Sequence, residues 1–377
     1  MIRFPALIAF AACLIGGCTA EEDMDPGATA ETFSLTESLR IGDEAVVDTV
    51  YFDYINDIEV DARGNILVTD DASPGFRIFS SDGTLTHEIG SEGEAPGEFQ
   101  DTPLLTVGAK DSVFVFDVDN GRLTVYSPGD YQLTRMVNLA TKLPDHVDAA
   151  DVLAILPEGL IAQFDHYPDE DTADEKGWLT EIMFLDHSGD VLRDSIVLIP
   201  SMEVTLISDE IVENFPFTRQ WGRESFIISS SDGLIHAGWN ETIQVRIASL
   251  NGVVGEFVIP HSPIPITLGE KNEEVSRWPK EWQVQLRRDV PDTKPAFNAM
   301  VLDDEDRLWM QLNWPADSTK AEWLVVESST GDVVAKTSLP VTATIMKIRQ
   351  GKAYGVVDDG QDVVTVWEIS SSPSHGG

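Results

Sequence analysis

Two neighbouring stretches of this chain repeat one another, and that repetition constrains the fold more than any other feature. Asp57–Leu85 reads DIEVDARGNILVTDDASPGFRIFSSDGTL, and Leu104–Leu133 reads LLTVGAKDSVFVFDVDNGRLTVYSPGDYQL. Each gives an alternating apolar run, a turn, a second apolar run ending in Asp, a polar loop, an Arg, and a third run closed by Gly. Asp70 matches Asp117 and Arg77 matches Arg122, at offsets of 47 and 45 residues. Self-similarity at such a period marks units that cannot bury their apolar faces alone and must stack or pack radially.

The rhythm continues along the chain. A third unit is expected at Asp151–Ala162 and Ile182–Leu192, interrupted by an acidic insertion at Asp165–Lys176. A fourth spans Ser225–Val254, a fifth Phe297–Val334 and a sixth Ala343–Ile369. Their short Val-, Ile-, Leu-, Phe- and Thr-rich runs, bounded by Gly, Asp and Asn, read as three or four antiparallel strands per unit. A small isolated sheet leaves faces and edges exposed, whereas radial packing covers both faces. Thr32–Ile41 is a lone strand ahead of the first unit, placed to supply the missing strand of the sixth and so to close the ring.

The joining segment Gly90–Pro103, GSEGEAPGEFQDTP, first suggests a phosphate cradle. It lacks the Lys-Ser/Thr of a P-loop and no helix follows it, so its glycines are expected to serve positive φ in a crossover between units. Gly90, Gly93, Pro96, Gly97, Glu98, Phe99 and Pro103 resemble the connector of NHL-repeat propellers, with Ala95 where that family carries a further Gly. The surrounding Gly-x-apolar-x-apolar-x-Asp and Arg-apolar-x-apolar patterns resemble the same family over residues 57–126. The resemblance implies an all-β, six-bladed β-propeller (NHL/TolB-like) with a short helical insertion, spanning residues 31–370. It is also similar to bacterial six-bladed propeller lipoproteins.

Two stretches break the rhythm, near residues 200–222 and 260–295. In the second, Val275, Trp278, Trp282 and Leu286 fall on one face at three- and four-residue steps, and Pro279 suits the first turn of a second short helix. It also holds Lys271, Arg277, Lys280, Arg287, Arg288 and Lys294, six of the 25 Lys and Arg residues. Such an insertion is expected to cap one end of the central channel and to offer Lys280, Arg287, Arg288, Trp278 and Trp282 as partner contacts.

The amino terminus supplies an address. Residues 1–17 carry Arg3 and an apolar run from Phe4 to Ile15, a signal-peptide pattern too short to span a bilayer. Ile15-Gly16-Gly17-Cys18 resembles a bacterial lipobox, which implies cleavage before Cys18 and its acylation, with residues 18–30 as an acidic flexible tether. Thr19 rather than Asp after the Cys implies the outer membrane, facing the periplasm or the cell surface. The only other cysteine, Cys13, lies inside the leader, so the mature domain is expected to carry no disulfide. A formal charge of −40 disfavours nucleic acid as a partner. Residues 371–377 are expected to be a disordered tail, and the protein a monomer.

Chemistry is less legible. Asp117–Gly121 resembles the start of a calcium loop, but Pro128 stands where an EF-hand needs Glu, so a turn is expected there and at Asp303–Asp306. No HExxH motif occurs among seven histidines. His166 and His236 follow the second strands of neighbouring units and are candidate metal ligands at the channel, although a third ligand cannot be placed by spacing. Trp221-Gly222 and Trp314-Pro315 fall outside strand rhythm, at rim positions suited to stacking a ligand. The reading is a lipid-anchored envelope propeller, a binding or scaffold module for a protein or small ligand, with no cofactor and no catalytic residues assigned. The alternatives are a divalent-metal-dependent lyase or lactonase-like hydrolase with its site in the channel, and a carbohydrate-binding module using rim tryptophans.

Overall fold

A computed structural model describes residues 30–43, 50–108, 110–139, 147–166, 178–207 and 215–372. The leader, Cys18, most of the tether, residues 167–177 with most of the acidic insertion, and residues 373–377 lie outside them.

The alternating runs form four-stranded antiparallel blades in chain order. Blade 1 holds β1′s successors β2 (Ile55–Val60), β3 (Ile66–Asp70), β4 (Ser73–Phe79) and β5 (Leu85–Ile89); β1 itself is Glu31–Ile41. Blade 2 comprises β6 (Leu104–Val107), β7 (Val113–Asp117), β8 (Arg122–Tyr126) and β9 (Leu133–Asn138). Blade 3 comprises β10 (Val147–Leu156), β11 (Gly159–His166), β12 (Leu179–Leu185) and β13 (Val191–Pro200). A hairpin, β14 (Val204–Ile207) and β15 (Phe215–Thr218), precedes blade 4, which is β16 (Ser225–Ser229), β17 (Ile235–Trp239), β18 (Ile243–Ser249) and β19 (Gly252–Ile259). Helices α1 (Leu268–Ser276) and α2 (Lys280–Asp289) separate it from blade 5, β20 (Phe297–Leu302), β21 (Arg307–Leu312), β22 (Lys320–Glu327) and β23 (Val333–Pro340). Blade 6 is β24 (Ala343–Arg349), β25 (Lys352–Asp358), β26 (Asp362–Ser372) and, from the other end of the chain, β1.

The first strands of the blades neighbour one another in a closed ring, β2–β6–β10–β16–β20–β24 and back to β2. Between each adjacent pair of blades lies one apolar cluster, giving six interblade cores. The fold is therefore a six-bladed β-propeller. Sheet faces that would be wet in a single blade are dry in the ring, which is why Ile, Val and Phe occupy both faces of second strands such as β3 and β7. Closure occurs as the sequence suggests: β1 pairs antiparallel with β26 from Thr32↔Ser372 to Ile41↔Val364 and touches β23 in parallel at Glu31 and Thr32. This partner carries β26 to Ser372, two residues beyond the boundary expected for the tail.

The repeated Asp and Arg have one physical job. Arg77 pairs with Asp70, and Arg122 with Asp117 at 3.4 Å, all four residues being buried. Each carboxylate also accepts the backbone N–H of a residue 17 positions upstream, Asp53 for Asp70 and Gln100 for Asp117. Each guanidinium donates back to the connector entering its own blade, Arg77 to Tyr51 O at 2.9 Å and Arg122 to Glu94 O at 2.7 Å and to Glu98 O. A buried ion pair is costly to desolvate, and only such added hydrogen bonds make it tolerable. The pair thus holds connector to blade. In the joining segment, Gly90, Gly93 and Gly97 have φ of +111°, +146° and +85°. A Cβ on Gly90 would stand 2.8 Å from both Gly75 Cα and the Phe99 ring, so Gly90 is required by close approach as well as by φ.

The inner edge strands need partners for their free backbone groups. Side chains of the preceding blade provide them: Asp362 accepts from Ile55 N, Asp57 accepts from Leu105 N, Thr106 donates to Val152 O, Asn240 to Phe297 O and Gln311 to Ala343 O.

Candidate functional site

The two breaks in rhythm are enlarged connectors on the same end of the propeller, and they fold onto each other. Ile207 of β14 packs with Val275 of α1 and Leu286 of α2, and Phe217, Trp278, Trp282 and Val290 close around them. Thr267 starts α1 with a reciprocal capping box to Glu270, and Pro279 sits at the N-cap of α2 with no side-chain cap. The amphipathic face expected from the sequence is present, and its partner is the hairpin, which carries no periodic signal of its own. Trp278 and Trp282 turn their rings onto Phe217, at centroid distances of 4.5 and 6.1 Å.

Beneath this cap, against blades 4 and 5, lies a cleft of about 460 Å³. Trp221 and Trp314, the two tryptophans set outside strand rhythm, both line it. Trp221 has φ of 58°, a left-handed conformation rarely adopted by a bulky residue. Strain of this kind persists where the surroundings over-determine it. Here Arg223 donates to Trp221 O at 2.9 Å and to Thr293 O at 2.9 Å, while Gly222 N closes a turn onto Arg219 O at 3.0 Å. A Cβ on Gly222 would approach Arg219 O to 3.1 Å, so the Trp-Gly order is part of the turn. Lys294 is buried, bonds Glu270 at 2.7 Å and Trp314 O at 2.9 Å, and stands 5.9 Å above the Trp221 ring.

The remaining polar groups differ in how far they are satisfied. Asn313 donates to Asn298 at 2.7 Å, pairing two amides on the cleft wall. Glu203 accepts from Arg223 N at 3.0 Å and stands 3.9 Å from Arg219. The Glu224 carboxylate has no partner among the described residues. Solvent reaches it, yet the enclosing walls desolvate it and raise its pKa above the usual carboxylate value.

A second cavity, of about 310 Å³, lies on the propeller axis at the opposite end. Each blade contributes from its first strand, through Glu59, Thr106, Leu153, Ser229, Leu302 and Lys347 among others. Strand β16 shows the separation: Glu224 before it borders the cleft and Ser229 at its end borders the axial cavity, about 16 Å of strand apart. Lys347 bonds Glu59 at 2.7 Å. Asp57 in the channel wall is pushed up to about 7, first by burial and then by the charge of Glu59, with Asp151 adding to it. Asp151 itself is raised to about 6, chiefly by burial.

The other expectations divide. Of the six basic residues in the insertion, Lys271 pairs with Asp292, Arg277 with Glu273 and Glu274, Lys294 with Glu270 and Arg288 with Asp289, and Arg287 donates to Asn272. The insertion is thus an internally balanced surface rather than a free basic patch, with Lys280, Arg287 and Arg288 on its exposed side. His236 corrects its expected place at the channel. It lies inside β17, opposite Ile228 and Ile247 of the blade 4–5 core, and burial lowers its pKa so that it is neutral. His166 ends β11; its side chain is outside the description. Among the described residues, no three His, Cys, Asp or Glu side chains come together as a metal site. Asp117 is committed to Arg122 and Asn120, and Asp303 to Arg307 and the Trp309 indole, so both acidic motifs are turn and packing devices. Glu224, Asn298 and Asn313 gave no signal in the sequence, because single polar residues at strand ends look alike until the blades are closed.

Comparison with known proteins agrees with this architecture. The model of a family described as a 6-bladed beta-propeller matches residues 47–207. No curated protein sequence matches the chain. A Bacteroides fragilis protein described as exported superposes with a TM-score of 0.52 at 11% identity, covering 93% of this chain and 98% of its own. A member of the duf4221 family from Bacteroides vulgatus gives 0.49 at 7% identity, over 91% and 99% of the two chains. Virginiamycin B lyase from Staphylococcus aureus gives 0.46 at 11% identity, over 90% and 100%. At 11% identity the likeness to the Bacteroides fragilis protein is one of fold.

Proposed function

We propose that this chain is a binding propeller of the bacterial envelope that takes a small ligand in the cleft between its cap and blades 4 and 5. One observation carries the reading: both breaks in the repeat, and both tryptophans outside strand rhythm, converge on that cleft. Pockets of this size with a few convergent polar groups are the usual form of a small-molecule site. The Asp–Arg pairs and the glycine connector support an NHL-type repeat. The lipobox resemblance supports cleavage before Cys18, acylation there, residues 18–30 as the tether and an outer-membrane location for a monomeric propeller. A protein partner would meet the outer side of α2, where Lys280, Arg287 and Arg288 stand exposed beside Trp278 and Trp282. The lyase or lactonase alternative would need a channel ligand set that the described residues do not bring together.

The test uses full-length protein in detergent and a fluorine-observed screen of small aromatic, amide and polyol fragments. Hits that weaken at least tenfold in Trp314→Ala are expected; a screen with no hit sensitive to that change would defeat the cleft as a binding site.

A further inference from the structure

We infer that the cleft ligand is a neutral saccharide, a reading that rests on the cleft being the binding site and names what fills it. Charge argues by elimination. A cationic ligand would meet Arg219, and the face of Trp221 that would hold it is already occupied by the Glu270-paired Lys294 ammonium at 5.9 Å. An anionic ligand would meet the unpartnered Glu224 carboxylate, within a protein of formal charge −40. A purely apolar ligand would cover Glu224 and the Asn298–Asn313 amides and displace the water that serves their remaining donors and acceptors, with nothing to replace it.

What remains is a ligand that is uncharged, rich in hydroxyls and apolar on one face. A pyranose ring meets all three conditions. Its C–H face stacks on an indole, its hydroxyls donate to Glu224, and the amide pair both donates and accepts. The immobilised Trp221 contributes rigidity: the left-handed turn, clamped by Arg223, holds the ring in place before the ligand arrives, which lowers the ordering cost of binding. Glu224 is the specificity residue in this arrangement. It accepts two hydroxyl hydrogen bonds only when ionised, and its pKa is raised by the walls, so affinity falls as the carboxyl protonates.

The experiment is calorimetry of the full-length protein in lauryldimethylamine oxide, a detergent without sugar, against cellobiose, maltose and N,N′-diacetylchitobiose, with glucosamine and glucuronic acid disaccharides as charged controls. At least one neutral disaccharide is expected to bind saturably, at least tenfold tighter than the charged controls. Trp314→Ala and Glu224→Gln should each weaken it at least tenfold, with circular dichroism melts confirming folded variants. Binding should also weaken as pH is lowered in the wild type, while Glu224→Gln loses that pH dependence. Three results overturn the inference: tighter binding of a charged control, disaccharide binding indifferent to both substitutions, or no disaccharide binding while Trp314-sensitive fragments still bind. The last leaves the cleft as a site for another ligand class, whereas failure of fragments and sugars together removes the site as well.

Discussion

Blades 1 and 2 and the cap over blades 4 and 5 handle buried charge in opposite ways. In the two repeats, Asp70–Arg77 and Asp117–Arg122 are sealed between strands and connectors, every bond turned inward. In the cap region, Arg223 and Lys294 are equally buried but brace a wall, leaving Trp221, Trp314 and Glu224 turned toward a cavity. The same residue types tie connector to blade in one region and wall an open cleft in the other. The difference teaches that in this propeller the room for a cleft opens where a connector departs from the repeat, whereas the connectors that follow it are tied down by the repeated Asp and Arg.

The comparison can be broken most severely at ring closure. Deleting residues 31–41 removes the outer strand of blade 6 and its bridge to blade 5; loss of the cooperative thermal transition is expected by circular dichroism. A melt that stays cooperative would show that the ring does not depend on this strand.

Next in size are the sealed pairs. Arg77→Ala or Arg122→Ala leaves a buried carboxylate unpaired and a connector untied, a loss of about 3–5 kcal/mol in chemical denaturation. Arg288→Ala, which removes an exposed pair with Asp289, should leave the denaturation midpoint where it is. Equal effects would erase the distinction between the two regions.

The smallest effect concerns the channel. Asp57 is raised to about 7 in the folded protein, against about 4 in an unfolded chain. Between those values the folded state holds a proton that the unfolded chain has released, so this group makes stability fall as pH rises from about 4 to about 7. Asp57→Asn can still accept from Leu105 N and carries no charge beside Glu59 and Asp151. It should stabilise the protein by about 1–2 kcal/mol at pH 8, allowing for the solvent that reaches the group, and leave it nearly unchanged at pH 4. Equal melting shifts at both pH values would show that Asp57 is not held protonated.

Much of this was legible in the residues. Asp70, Arg77, Asp117 and Arg122 announced the period because each blade needs the same tie at the same place, and a need that recurs leaves a recurring letter. Thr32–Ile41 announced closure because a lone amphipathic strand has no other use. The face of Val275, Trp278, Trp282 and Leu286 announced helices, and the absence of strand rhythm around Trp221 and Trp314 set them apart. The hairpin that receives the helical face was not legible, since β14 and β15 are four residues each and too short for periodicity to register. His236 was misplaced at the channel because alternation along a strand does not say which neighbouring blade a face will meet.

The sequence by itself determined a closed ring of small sheets, its local ties and the places where the repeat fails, since these depend on periodicity and on contacts close along the chain. Only the tertiary structure decided that Glu203 and Trp221, Lys294, and Trp314 share one cavity, that Glu270 silences Lys294, and that the basic insertion is balanced by its own acids. Those relations join connectors brought together by the angle between blades, and no local pattern encodes that angle. It emerges when six interblade cores are packed at once.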